Sequence, residues 1–178
     1  QDLRRWDYLS SVRIEKLVSN SNFTAKRIKK YWGRNSTVIH PPVDTKKFSP
    51  TKARSDFYLS VSRLVPNKRV DLLVKAFNKL DFPLIIVGSG PEKKKLMKIA
   101  NNNITFLNYQ DDISIKNLME TCKALVYAGI EDFGIAPVEA MAAGAPIIAF
   151  KKAGILDTVK CINSEAKRPT GILFDEQN

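Results

Sequence analysis

From Phe57 onward the chain alternates short, continuously apolar runs rich in β-branched residues with stretches whose apolar residues recur at helical spacing. The apolar runs are Phe57–Ser62, Leu84–Gly88, Ile104–Leu107, Ala124–Ala128, Ile147–Phe150 and Gly171–Phe174. Runs with no polar alternation predict strands buried on both faces, as in a parallel sheet whose crossovers are helices. Six such strands in βα order predict an α/β fold, a Rossmann-like doubly wound parallel sheet with helices on both faces. Between the first two runs, Arg69–Leu80 sets Val70, Leu73, Val74, Phe77 and Leu80 on one helical face. Ser114 reads as the cap of another helix, whose stripe of Ile115, Leu118, Met119 and Cys122 puts Cys122 in the core.

Upstream the pattern changes. Lys16–Ser19 reads as a strand, Ser21 or Asn22 as the cap of a helix through Trp32, and Thr37–His40 as a strand stopped by Pro41-Pro42. Pro41–Arg54, with three prolines and four Lys or Arg residues, reads as an interdomain linker. The expected division is therefore 1–42 as the tail of a preceding domain, 43–54 as linker and 55–178 as a second domain. The start, Gln1-Asp2-Leu3-Arg4-Arg5-Trp6, has neither an initiator Met nor an apolar signal core and reads as a cut inside a longer protein. The longest weakly polar stretch, Gly134–Phe150, falls short of the roughly 20 apolar residues of a membrane span.

Composition narrows the class. With 44% hydrophobic and 26% charged residues the 178-residue chain has material for a sizeable core and is not a disordered one. The net charge of +11 is uneven, with 11 basic against 4 acidic residues up to position 50 and 18 against 14 thereafter. Such a basic segment attracts nucleic acid, anionic membranes or phosphorylated small molecules through the same Coulomb attraction, and charge alone does not choose among them. No nucleic-acid-binding motif accompanies it, and the runs Lys93-Lys94-Lys95 and Lys151-Lys152 read as solvated faces. Cys122 and Cys161 lack metal or redox spacing, which favours a reducing compartment.

Two constellations carry candidate chemistry. Glu131-Asp132-Phe133-Gly134-Ile135-Ala136-Pro137-Val138-Glu139 reads as a loop entering a helix, with Pro137 at the first helical position, Glu139 in the first turn and Gly144 just past the end. Both carboxylates then stand at the carboxyl edge of the sheet, and the free N–H groups of Gly134, Ile135 and Ala136 favour an anion such as a diphosphate. The blander reading makes Glu139 a complement to the helix dipole and Glu131 a solvated loop acid. Arg63-Leu64-Val65-Pro66-Asn67-Lys68, after the first strand of the same sheet, brings two cations to that edge. Cations for phosphates and carboxylates for hydroxyls suit a ligand with both groups; a surface salt bridge to Asp71 or Glu131 is the plainer alternative. Val87-Gly88-Ser89-Gly90-Pro91 lacks the third glycine of a dinucleotide fingerprint. His40, the only histidine, has no neighbouring nucleophile or carboxylate that would make it a general base.

The Glu131–Glu139 segment, with Glu139-Ala140-Met141, Gly144 and Pro146, resembles the signature of group 1 (family 4) glycosyltransferases. Val38-Ile39-His40-Pro41-Pro42-Val43-Asp44, Ser62 to Asp71, Val87 to Pro91 and Thr170-Gly171 fall in that family's order and spacing, so the resemblance covers essentially the whole chain. It implies a two-domain GT-B enzyme, of which this chain is the carboxyl-terminal, nucleotide-sugar-binding domain preceded by the last elements of the acceptor domain and truncated at its carboxyl end. The implied catalysis is retaining and independent of metal, with no cofactor. Arg63 and Lys68 would hold the donor diphosphate and stabilise it as it leaves. Glu131 with the backbone of Phe133, Gly134 and Ile135 would position the donor sugar, and Glu139 would take the ribose hydroxyls.

Within the family, Cys122 to Tyr127 leading into Glu131 to Gly134, with Arg4-Arg5-Trp6-Asp7, is most similar to mannosyltransferases of surface polysaccharide synthesis. GDP-mannose is the implied donor, and a glycan or lipid-linked sugar the implied acceptor. A cytoplasmic enzyme is expected, its basic first 50 residues in peripheral contact with an anionic membrane face and no nucleic acid among its partners. Two departures stand out: Asn108 to Asp112 replaces a Gly-rich stretch near the base, and Asp157 stands where this branch tends to have Glu. The isolated chain is expected to bind nucleotide weakly and complete no transfer. Two rivals stay open at this stage, a nucleotide-sugar epimerase of GT-B architecture and a basic nucleic-acid-binding module.

Overall fold

The computed structural model describes residues 2–50, 53–164 and 166–177. Its first elements are α1 (Asp2–Val12), β1 (Val18–Ser19), α2 (Asn22–Trp32) and β2 (Thr37–Val38), and β1 and β2 pair in parallel as a sheet of their own. Of the two cap candidates for α2 the structure uses Ser21, whose hydroxyl accepts from Thr24 N–H, while Gly33 closes the helix at φ 68°. The strands expected at Lys16–Ser19 and Thr37–His40 are trimmed to two residues each.

The main body follows as β3 (Tyr58–Val61), α3 (Val70–Leu80), β4 (Leu84–Val87), α4 (Lys93–Ile99), β5 (Ile104–Leu107), α5 (Asp112–Thr121), β6 (Ala124–Tyr127), α6 (Ile135–Ala142), β7 (Ile147–Phe150), α7 (Ile155–Thr158) and β8 (Gly171–Phe174). All six strands stand within one or two residues of their expected bounds. They form one parallel sheet in the order β5-β4-β3-β6-β7-β8. The chain winds outward from β3 through β4 to β5, then restarts on the other side with β6. The order therefore reverses between β3 and β6, the place where open α/β sheets leave a crevice at the carboxyl ends of their strands.

The crossover helices lie on both faces of the sheet, and the core divides accordingly. One cluster packs Leu59, Leu125, Ile147, Met119, Ala140 and Ile155; the other packs Val70, Val74, Phe77, Ile86, Leu96 and Val126. Cys122 is fully buried in the first, as expected, and burial raises its thiol pKa to about 11. Both cysteines are free.

Local details correct the sequence reading in three places. Asp111, not Ser114, caps α5: its carboxylate accepts from Ser114 N–H at 2.7 Å, so Ser114 supplies the donor rather than the acceptor. Arg69 lies outside α3 at φ 50°. Pro137 occupies the third position of α6, tolerated because first-turn N–H groups have no intrahelical acceptor, and this moves Glu139 into the second turn. Of the expected linker, residues 43–50 and 53–54 are described, and they touch the body: Phe48 is buried in the core, Ser49 N–H donates to Glu120, and Arg54 reaches four backbone carbonyls.

Candidate functional site

The loops after β3 and β6 meet at the reversal of strand order, and they carry Arg63, Lys68 and Glu131. Lys68 ends a tight 3-10 turn, Pro66–Lys68, that leads into α3. Its turn lies flush against the loop after β6, because position 129 is glycine: a Cβ there would stand 2.8 Å from Lys68 Cα. At this separation Lys68 Nζ donates to Glu131 Oε1. Tyr127, the last residue of β6, donates its hydroxyl to the same oxygen. Burial, and then the adjacent carboxylate, push the Tyr127 phenol well above its ordinary pKa, so it remains a neutral donor. Glu131 is thus no solvated loop acid. One oxygen is fixed by two donors, and Oε2 is left to face other partners.

Glu131 stands between two cavities. On one side it lines a cavity of about 330 Å³ with Phe133, Gly134, Ile135 and Ala136; on the other, a cleft of about 650 Å³ with Lys68, Arg69 and Arg27. The start of α6 opens into the smaller cavity. Gly134, at φ 90°, precedes the helix and no side chain caps it, which leaves the first amides as donors at the positive end of the helix dipole. Phe133 is buried beneath them and stacks on His40 with ring centroids 5.2 Å apart. His40 Nδ1 lies 3.0 Å from Asn20 O, and the residue packs a wall of the site.

Arg63 is exposed and makes no ion pair among the described residues. It lines a groove of about 370 Å³ with Gly88, Tyr109 and Gln110, and Val61 joins this groove to the 330 Å³ cavity. Its loop rests on the turn after β4. A Cβ on Gly88 would fall 1.9 Å from Ser62 O, and Leu64 N–H donates to Ser89 O at 2.9 Å. The Gly88-Ser89-Gly90 turn, weak as a fingerprint, therefore shapes the ledge that presents Arg63.

Glu139 lines none of these three cavities, and its partner is Lys47, whose Nζ donates to Oε1 at 2.9 Å. Asp71 pairs with Arg69 at 3.1 Å instead of with Arg63 or Lys68, so of the two plainer salt bridges the structure forms only Lys68–Glu131. Sequence reasoning missed Tyr127, Gly129 and Lys47. A phenol ending an otherwise apolar strand run, and needing a partner when buried, was the one legible signal among them. Asp157 accepts from Asn22 N–H at 2.6 Å, and Arg27 pairs with Asp132 at 3.0 Å, so α2 is tied to this same edge.

Residues 43–178 match the family described as Glycosyl transferases group 1. Among curated relatives, the GDP-mannose-dependent monoacylated alpha-(1-6)-phosphatidylinositol monomannoside mannosyltransferase of Corynebacterium glutamicum is 32% identical over 83% of this chain and 47% of the relative. The alpha-1,3/1,6-mannosyltransferase ALG2 of Candida glabrata is 28% identical over 89% of this chain and 47% of the relative. The chain thus spans about half the length of these relatives. Among solved structures, HepE of Anabaena in complex with UDP and glucose superposes with a TM-score of 0.83 at 23% identity, over 98% of this chain and 53% of that one. A variant of TarM from S. aureus, in a complex that includes UDP, gives 0.81 at 21% identity over 100% of this chain and 37% of that one.

Proposed function

The chain belongs to the group 1 glycosyl transferases, and from that premise we propose that it is the donor-binding half of a retaining mannosyltransferase that takes GDP-mannose without a metal ion. The observation that carries this reading is the contact of Lys68 with Glu131 beside the uncapped start of α6, with Arg63 on the adjoining ledge. A diphosphate laid along this edge meets two cations and the first amides of α6. These donors act most strongly on the charge that grows as the diphosphate leaves, and one such contact lowers a barrier by about 3–4 kcal/mol. Lys68 must then pass from Glu131 to the phosphate, which frees a carboxylate oxygen to accept from hydroxyls of the sugar. Residues 1–42 would close the acceptor domain and 43–54 would join the two.

Calorimetric titration of this chain with GDP and UDP, with and without magnesium, checks the donor. We expect metal-independent binding of GDP, weakened about tenfold by Arg63→Ala and by Glu139→Ala, the loss of one hydrogen bond to a charged group. Glu131→Gln is expected to act in the opposite direction on the nucleotide alone, because Lys68 is no longer held by a carboxylate. GDP then binds several-fold tighter while the advantage of GDP-mannose over GDP disappears. A preference for UDP would overturn the donor, and weaker GDP binding by Glu131→Gln would overturn the exchange of Lys68.

The acceptor proposed is a glycan or a lipid-linked sugar at the cytoplasmic membrane face, met by the basic first 50 residues. Co-sedimentation of the chain with vesicles should rise with their anionic lipid content; binding that ignores lipid charge would sink the membrane contact.

A further inference from the structure

Glu139 is a carboxylate with a single side-chain partner among the described residues, and that partner comes from 92 positions earlier in the chain. Lys47 ends the 3-10 turn Thr45–Lys47, and the turn is fixed by the two residues that follow it. Phe48, the next residue, is buried in the core with 6% of its surface exposed, and Ser49 N–H donates to the Glu120 carboxylate at 2.5 Å. The Lys47 ammonium also lies 5.0 Å from the Phe48 ring centroid. Its position is therefore set by the fold, although its own side chain faces solvent. Lys46 stands on the same turn and makes no ion pair among the described residues.

A carboxylate has about four lone-pair sites on two oxygens. With Oε1 held by Lys47, the carboxylate loses rotational freedom, and Oε2 keeps its lone pairs for another donor. A group that is to accept from a sugar hydroxyl gains by having its orientation settled before the ligand arrives, since less freedom is lost on binding.

We propose that Lys47 is a positioning residue for the donor: it holds Glu139 in the orientation that accepts from the ribose hydroxyls, and so sets the preference for a ribonucleotide. This rests on the reading of Glu139 as the ribose acceptor. Lys47 touches no reacting atom and acts through Glu139 alone.

The test compares GDP with 2′,3′-dideoxy-GDP by calorimetry on the wild-type chain, Lys47→Met, Lys47→Arg and Lys46→Met. Wild type is expected to favour GDP about tenfold, as one hydrogen bond to a charged acceptor predicts. Lys47→Met should reduce that ratio below about threefold, mainly by weakening GDP, with the affinity for the dideoxy nucleotide nearly unchanged. Lys47→Arg should retain the ratio. Lys46→Met should retain it too, which separates the contact from general loss of positive charge. An unfolding midpoint unchanged in Lys47→Met shows that the turn keeps its place. If wild type discriminates and Lys47→Met discriminates equally, the positioning role is wrong while the ribose reading stands. If wild type binds both nucleotides alike, or binds neither, the ribose reading fails and this inference fails with it.

Discussion

Arg54→Ala is expected to lower the stability of the chain by about 3–5 kcal/mol, more than the loss of any exposed ion pair. The guanidinium donates from Nη1 to the carbonyls of Met119, Glu120 and Cys122 at 3.3, 3.0 and 3.1 Å, and from Nη2 to that of Ala143 at 2.9 Å. These carbonyls end α5 and α6, where the last turn of a helix has no backbone donor left. One planar cation therefore closes two helices at once and completes the negative ends of both dipoles. A hydrogen bond to a charged group contributes about 1.5–3 kcal/mol. Four bonds sharing one side chain add to less than their sum. At about 2–4 °C per kcal/mol for a chain of this length, the midpoint of thermal unfolding should fall by about 6–20 °C. Arg54→Lys keeps the charge but not the fork and should lose roughly half as much. Urea unfolding monitored by far-UV circular dichroism reads all three chains. A loss below about 1 kcal/mol for the alanine variant would mean that water replaces the guanidinium without penalty.

Gly154→Ala should damage stability and the site together. Gly154 N–H donates to Glu131 O at 2.8 Å, so the loop after β7 rests on the backbone of the loop that carries the carboxylate. A Cβ at position 154 would lie 2.2 Å from Asp132 O and 2.5 Å from Phe133 Cα. These are backbone atoms that cannot turn aside. The dihedrals at Gly154, φ −63° and ψ −20°, are ordinary for alanine, so the effect comes from contact alone. Overpacking of this kind costs about 1–3 kcal/mol, and here the upper end is expected. Parting the two loops moves Glu131 and Phe133, and the proposed donor, GDP-mannose, should bind at least tenfold more weakly, a displacement effect of the kind that small misplacements produce. Gly33→Ala is the contrasting case: its φ is 68° with open space around it, so it should lose only about 1–2 kcal/mol through left-handed backbone strain and leave binding intact. Destabilisation of Gly154→Ala with unchanged binding would show that this loop does not hold the carboxylate.

The sheet was legible because its cause is local. A strand buried on both faces must be apolar throughout, so Leu84–Val87 and Ile147–Phe150 announce themselves, and βα alternation with right-handed crossovers leaves little choice of architecture. The carboxyl-edge placement of Arg63, Lys68 and Glu131 followed from the same logic, since each lies on the loop that follows an apolar run. Helix ends were less certain. Asp111 and Ser114 are both good caps, and Pro137 suits several first-turn positions, so composition alone could not fix where α5 and α6 begin.

What the amino-acid order could not contain is which of these groups touch. Lys68 meets Glu131 across 63 positions, Lys47 meets Glu139 across 92, and Arg54 gathers carbonyls from two helices that are remote from it in the chain. Each contact depends on how two loops or a turn dock on the finished sheet. That docking is decided by the pairing of β3 with β6 and by glycines at 88, 129 and 154 that let backbones approach within a distance no Cβ would permit. Periodicity is a property of neighbours along the chain. Ion pairs and shared donors belong to neighbours in space, and only the tertiary structure assigns those.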